Sequence, residues 1–226
     1  MNAQALPDDQ DEPLRPIPRP VTLRQSVYDA LVNLVVAGGL SPGQHLAETQ
    51  LARRLGVSRH PVREALHLLQ AEGWIELRPN GGAFVRVPSD QEVDELLNVR
   101  ELLEAEMARL AARRAGPDQV ARLRRICDEG GEAVKDGDTE RFVTANNDFH
   151  TALAELSANT VLARLTTVVA RRARWHYHLV APRRVHDACQ EHIEIAEAIA
   201  ARDQQQAMKA ARAHIERTRM AYRHPG

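Results

Sequence analysis

Cysteine is nearly missing from this chain: 226 residues hold two, Cys127 and Cys189, far apart and without C-x-x-C spacing. Such usage argues against a disulfide framework and fits reduced, partly buried thiols of a cytoplasmic protein. No apolar run is long enough to span a bilayer, so no membrane partner is expected. A signal peptide is also lacking, because the first 12 residues carry Asp8, Asp9, Asp11 and Glu12 and no base. Pro7, Pro13, Pro16, Pro18 and Pro20 add to this, and residues 1–20 read as a disordered tail. Lysine is confined to Lys135 and Lys209, a bias that reflects genome composition as much as function. Overall basicity is absent too, since the net charge is −1. The charge is unevenly spread, however. Residues 13–88 hold nine Arg against five acids, an excess of four positive charges on one segment.

That segment contains the most informative window, residues 41–87. A short helix is predicted from Ala47 to Leu55, with Leu51 and Leu55 inward. Gly56 and Val57 make a tight turn, where Gly suits the φ > 0 of a sharp helix exit. Ser58 is the N-cap of a second helix whose core stripe is Val62, Ala65, Leu66 and Leu69. Pro61 falls in its first turn, where a missing N–H costs least, and Gly73 stops it. Residues 74–78 and 83–87 alternate as a β-hairpin does, around the turn Pro79-Asn80-Gly81-Gly82. Helix, turn, helix and hairpin in this order outline a winged helix-turn-helix. Arg59, His60 and Arg63 lie at the N-terminal end of the second helix, away from its apolar stripe. Recognition helices present that end to base edges, and Arg reads guanine or neutralises phosphate.

Pro42-Gly43, Leu46, Glu48, Leu51-Ala52, Gly56-Val57-Ser58-Arg59, Pro61-Val62-Arg63-Glu64-Ala65-Leu66, Gly73 and Gly81 together resemble the signature of the GntR family of bacterial transcription regulators. The resemblance implies double-stranded DNA as a partner. It places Ser58, Arg59, His60 and Arg63 at the start of the recognition helix, Thr49 and Arg53 toward the backbone, and Gly81 at the wing tip near the minor groove. His60 stands where the family usually has Thr or another small polar residue.

A first helix, from Val21 to Ala37 with Val27, Leu31, Leu34 and Val35 inward, completes a reader domain over residues 21–88. Pro88-Ser89-Asp90 is a hinge, and Ser89 with Glu92 makes a capping box. Beyond it no strand pattern occurs. Helices are predicted over 90–114, 117–136, 139–157, 160–180, 184–201 and 204–222, an all-α bundle of about six helices over 89–222 with a tail at 223–226. The fold class is therefore mainly α.

Three histidines on three of those helices point inward by helical spacing. His150 aligns with Val143, Asn146 and Leu153, His192 with Ala196 and Ile199, and His214 with Ala207 and Ala211. Buried imidazoles need partners. Three separate hydrogen-bonded histidines or one shared divalent metal would both satisfy them. His45, His67, His176, His178, His186 and His224 are read as surface or rim groups. Trp175 and Tyr177 receive no role.

Arg100-x-x-Leu103-Glu104, Asn146-x-x-Phe149-His150, Glu191-His192 and Ala213-His214 resemble the FadR-type C-terminal (FCD) domain of the same regulators. The resemblance implies a divalent metal held by Asn146, His150, His192 and His214, with zinc expected first and nickel, manganese or iron as alternatives. Asp is commoner than Asn at the first of these positions. It also implies a small organic-acid effector, with Arg100 placed to grip a carboxylate; the plain alternative pairs Arg100 with Glu104 along the helix. The resemblance further implies repression relieved by ligand, by a homodimer whose two-fold symmetry would match a short inverted-repeat operator. Two other functions compete. One is a metal-dependent hydrolase-like domain, for which Asp148 and Glu191 are turned away from the His face. The other is a DNA-binding protein whose metal is only structural.

Overall fold

The structure is a computed structural model describing residues 22–79, 81–177 and 181–223. The expected tail over 1–20, Val21, Asn80, His178, the last three residues of the helix expected over 160–180, and His224 lie outside the described residues.

Helix α1 spans Leu23–Val36 and opens on Thr22, whose hydroxyl accepts from the Gln25 amide. A two-residue strand β1 (His45–Leu46) follows; it is too short to show a periodicity and was not expected. Helix α2 is Glu48–Leu55 and ends on Gly56 in the left-handed region, φ 67°. Helix α3 is Arg59–Ala71, with Val62, Ala65, Leu66 and Leu69 buried as the spacing predicts. Ser58 occupies its N-cap position, yet its side chain makes no capping hydrogen bond, contrary to expectation. The reason is local: a cap accepts from the second or third helical N–H, and the third residue here is Pro61, which has none. Strands β2 (Ile75–Arg78) and β3 (Gly82–Val85) form the hairpin, and β1 joins it antiparallel in the order β1-β3-β2. Gly82 has φ 86°, and a Cβ there would meet His45 Nε2 at 2.9 Å.

Six helices follow among the described residues: α4 (Asp90–Arg114), α5 (Pro117–Lys135), α6 (Thr139–Leu156), α7 (Thr160–Tyr177), α8 (Ala181–Ala200) and α9 (Gln204–Arg223). The Ser89–Glu92 capping box starts α4 as expected. Several boundaries differ, and α5, α6 and α8 each end one residue earlier than expected. Helix α8 begins before residue 184, with Pro182 inside its first turn, where proline is tolerated. Helix α9 runs one residue into the expected tail, held there by Arg223 donating to Asp94 of α4 at 2.6 Å. In the bundle α4 packs on α9 and α7, and α5 on α6 and α8.

Two large apolar cores result, one inside α1–α3 and the sheet, the other inside the bundle. Trp175 of α7 belongs to the first, 5.6 Å from Trp74 between ring centroids. Arg172 lies 3.8 Å over the Trp74 ring and donates to the carbonyls of Gly73 and Glu72, which close α3. Helix α7 thus contacts the reader, as does α4 through Glu92, which accepts from Arg86 at 2.5 Å. Burial there corrects one expectation: His176, read as a surface or rim group, is 5 % exposed. Burial pulls its pKa down to about 4, and Arg172 pushes the same way.

Candidate functional site

The seven candidate reader residues share one property, exposure. Thr49 and Arg53 stand on α2, Ser58, Arg59, His60 and Arg63 at the start of α3, and Gly81 in the wing turn. Glu48, at the first position of α2, gathers the two principal arginines. Arg63 donates to it through Nε at 3.1 Å and Nη2 at 3.0 Å, and Arg59 through Nη2 at 3.3 Å. The hydrogen bond from Arg63 is the main cause that holds the Glu48 carboxyl below its ordinary range. Such exposed pairs contribute little stability, so both guanidiniums can exchange Glu48 for a phosphate or a guanine edge. At the wing, Arg78 lies 4.1 Å over the Phe84 ring.

The bundle holds a second polar cluster, this one buried. His150 (α6), His192 (α8) and His214 (α9) each offer a ring nitrogen within 4.8 Å of the others. Burial is the first cause that lowers the pKa of His150, to about 4, and that takes His192 well below its ordinary value. Both are therefore neutral near pH 7, the form that ligates a metal. Phe149 stacks on His192 at 3.9 Å and 9°, fixing the ring plane. Asn146 is also buried, one turn before His150 on the same face.

The residue partners of this cluster are specific. His214 Nδ1 lies 2.7 Å from Glu191 Oε2, which directs its Nε2 the other way. Arg184 donates to the same Glu191 oxygen at 2.5 Å. Glu191 was expected to face away from the histidines; instead it is 3 % exposed and touches one of them. Burial would raise its pKa, but His214 and Arg184 reverse this and hold it below the usual carboxylate range. Arg100 makes the expected pair along its helix and a second contact that was not expected. Its Nε donates to Glu104 Oε1 at 2.5 Å, and its Nη2 lies 2.7 Å from His150 Nε2. Glu104 Oε2 is 3.1 Å from His150 Nδ1, close but off line for a hydrogen bond. Burial opposes ionisation of Glu104, and Arg100 followed by His150 more than compensates, leaving it ionised.

Asn146 Oδ1 and His192 Nε2 are buried without a hydrogen-bond partner. Orphaned lone pairs of this kind are costly unless something fills them. With neutral imidazoles converging beside them, the donor set fits a divalent cation. A narrow cleft reaches the cluster between α4, α6 and α7, lined by Arg100, Asn146, His150, Ala173 and Arg174. Glu104, Glu191, Arg184 and Arg174 were not singled out as site residues from the sequence. Glu104 and Glu191 were visible as neighbours of Arg100 and His192, but their cross-helix contacts carry no sequence signal.

A winged reader with exposed arginines, joined to a helical bundle with a buried polar centre, defines a DNA-binding transcription regulator with a sensory domain. Family comparison agrees: residues 23–85 match the bacterial regulatory proteins of the gntR family, and residues 95–217 match the FCD domain. The chain belongs to the GntR family and carries an FCD domain, and it is a regulator rather than an enzyme. It is 31% identical over 205 residues to the HTH-type transcriptional regulator LutR of Bacillus subtilis (strain 168), covering 80% of this chain and 93% of that one. The HTH-type regulator YdhC of the same strain is 31% identical over 149 residues, 65% of this chain and 66% of YdhC. Among solved structures, E. coli McbR/YncC shares the fold with TM-score 0.74 at 23% identity, over 90% of this chain and 99% of that one. A GntR regulator from Rhodococcus sp. RHA1 follows with TM-score 0.73 at 27% identity, over 87% and 95%. No described helix is long and apolar enough to cross a membrane.

Proposed function

We propose that the protein is a cytoplasmic, ligand-released repressor: a homodimer that holds a short inverted-repeat operator and lets go when a small organic acid binds beside a divalent metal. The observation that carries this reading is the convergence of three buried histidines, an orphaned Asn146 oxygen and Arg100 at the end of one cleft. His150, His192, His214 and Asn146 would hold the ion, with zinc the first candidate for a nitrogen-rich set and nickel, manganese or iron behind it. When bound, the ion supplies a Lewis-acidic point that attracts a carboxylate. Glu191 holds the His214 tautomer, and Glu104 orients Arg100 and His150, so the binding groups are positioned in advance.

On the DNA side, Arg59 and Arg63 read bases or phosphates. His60 and Ser58 flank them, Thr49 and Arg53 approach the backbone, and Gly81 lets the wing approach the minor groove closely. The reader covers residues 21–88 and the sensor 89–222, with the hinge near Pro88. The dimer is supported by an apolar face. Val99 and Leu102 of α4 and Val161, Leu165 and Val168 of α7 are 46–71% exposed on two helices that pack side by side. A second copy covering this face gives the two-fold symmetry that an inverted repeat requires.

The test combines metal analysis with DNA release. Purified protein should carry about one divalent ion per chain, and His192→Ala should lose it and melt at lower temperature. A small acid should release operator DNA from the wild type. Arg100→Lys, which leaves Glu104 a cation but removes the planar fork, should respond only at much higher acid concentration. Equal metal content in wild type and His192→Ala would sink the shared site. Metal without any acid-dependent release would leave the ion a purely structural role.

A further inference from the structure

The acid effector itself can be narrowed by following the charges around the cleft. Arg100 is matched by Glu104, and Glu191 by Arg184. Imidazoles that ligate a metal are neutral, and Asn146 brings no charge. Arg174 is different. It lines the same cleft from α7, has no ion pair among the described residues, and its Nε is buried without a hydrogen-bond partner. The residue is half-buried, and a guanidinium with one closed-off, unpaired N–H and no counter-charge is a place for an anion, because a buried donor left unpaired costs free energy.

Resting on the acid-effector reading above, we infer that the ligand is a short dicarboxylate: one carboxylate meets the metal and Arg100, and the second is gripped by Arg174. A monocarboxylate would satisfy the first point and leave Arg174 unmatched. With a dianion, both guanidinium groups and the ion find partners, and the neutral Asn146 fits, since an Asp there would repel the extra charge. The narrowness of the cleft, bounded by Ala170 and Ala173 on the α7 side, favours a short ligand.

Calorimetric titration of the full-length, zinc-loaded protein at pH 7 with malonate and succinate, against acetate and propionate, tests this. The dicarboxylates should bind at least roughly tenfold more tightly than the monocarboxylates, as expected for a second charge-assisted pair. Arg174→Gln should erase most of that preference, and Arg174→Lys, which keeps the charge but not the fork, should restore part of it. Equal affinity for mono- and dicarboxylates in the wild type would overturn the inference, and so would a preference that survives Arg174→Gln. No binding by any of the four acids would overturn it together with the acid-effector reading, whereas equal binding by all four would leave that reading standing.

Discussion

The reader and the sensor each contain an arginine–glutamate cluster built from the same groups, and burial makes them opposites. In the reader Glu48 gathers Arg59 and Arg63, whose side chains are 61% and 54% exposed. In the sensor Glu104 holds Arg100, with side chains 3% and 7% exposed. Water competes for the first cluster, so its arginines change partners at small cost. It is excluded from the second, where breaking the pair strands a charge in a low-dielectric interior. An exposed pair suits groups that must trade one anion for another on DNA. A buried pair suits groups whose direction must be fixed before a ligand arrives.

The largest effect should come from breaking the buried pair. Glu104→Ala leaves Arg100 without a counter-charge and should destabilise the protein by about 3–5 kcal/mol, read as a lowered thermal or urea midpoint. A loss below about 1 kcal/mol would mean that water reaches Arg100 and that the two clusters do not differ in kind. Next is the exchange itself. Arg63→Ala should weaken operator binding by on the order of 1–3 kcal/mol if it reads a base, with discrimination falling at that base pair in gel shifts. Unchanged affinity for both the operator and a single-base variant would remove Arg63 from the interface. The smallest effect belongs to Glu48→Ala, which should change stability by less than about 1 kcal/mol. A loss as large as that of Glu104→Ala would show that Glu48 holds the reader together rather than parking its arginines.

Much of this was legible in the sequence because it depends on local periodicity. The stripe Val62, Ala65, Leu66 and Leu69 marks α3 and its buried face, and Gly56 and Gly73 mark its limits with left-handed conformations. Inward His150, His192 and His214 follow from the same rule, and all three are buried. Contacts between helices were hidden, since spacing within one helix says nothing of the axial offset of its neighbour. For that reason Glu191 appeared to face away from the histidines although its carboxylate meets His214 from another helix. His176 was misplaced for a related reason: its burial comes from packing against other elements, which spacing within α7 does not show. Strand β1, at two residues, is below the length at which alternation can be seen. The missing Ser58 cap was readable in principle, from the proline three residues on.

Helix α7 carries Arg172 and Arg174 two residues apart, and at about 100° per residue they leave the helix on nearly opposite sides. One lines the cleft; the other is bonded to the carbonyls that close the recognition helix. The segment is therefore an axle with a crank at each side. Whatever sits in the cleft and whatever the recognition helix does are thus one helix apart, and the two contacts share a single continuous element.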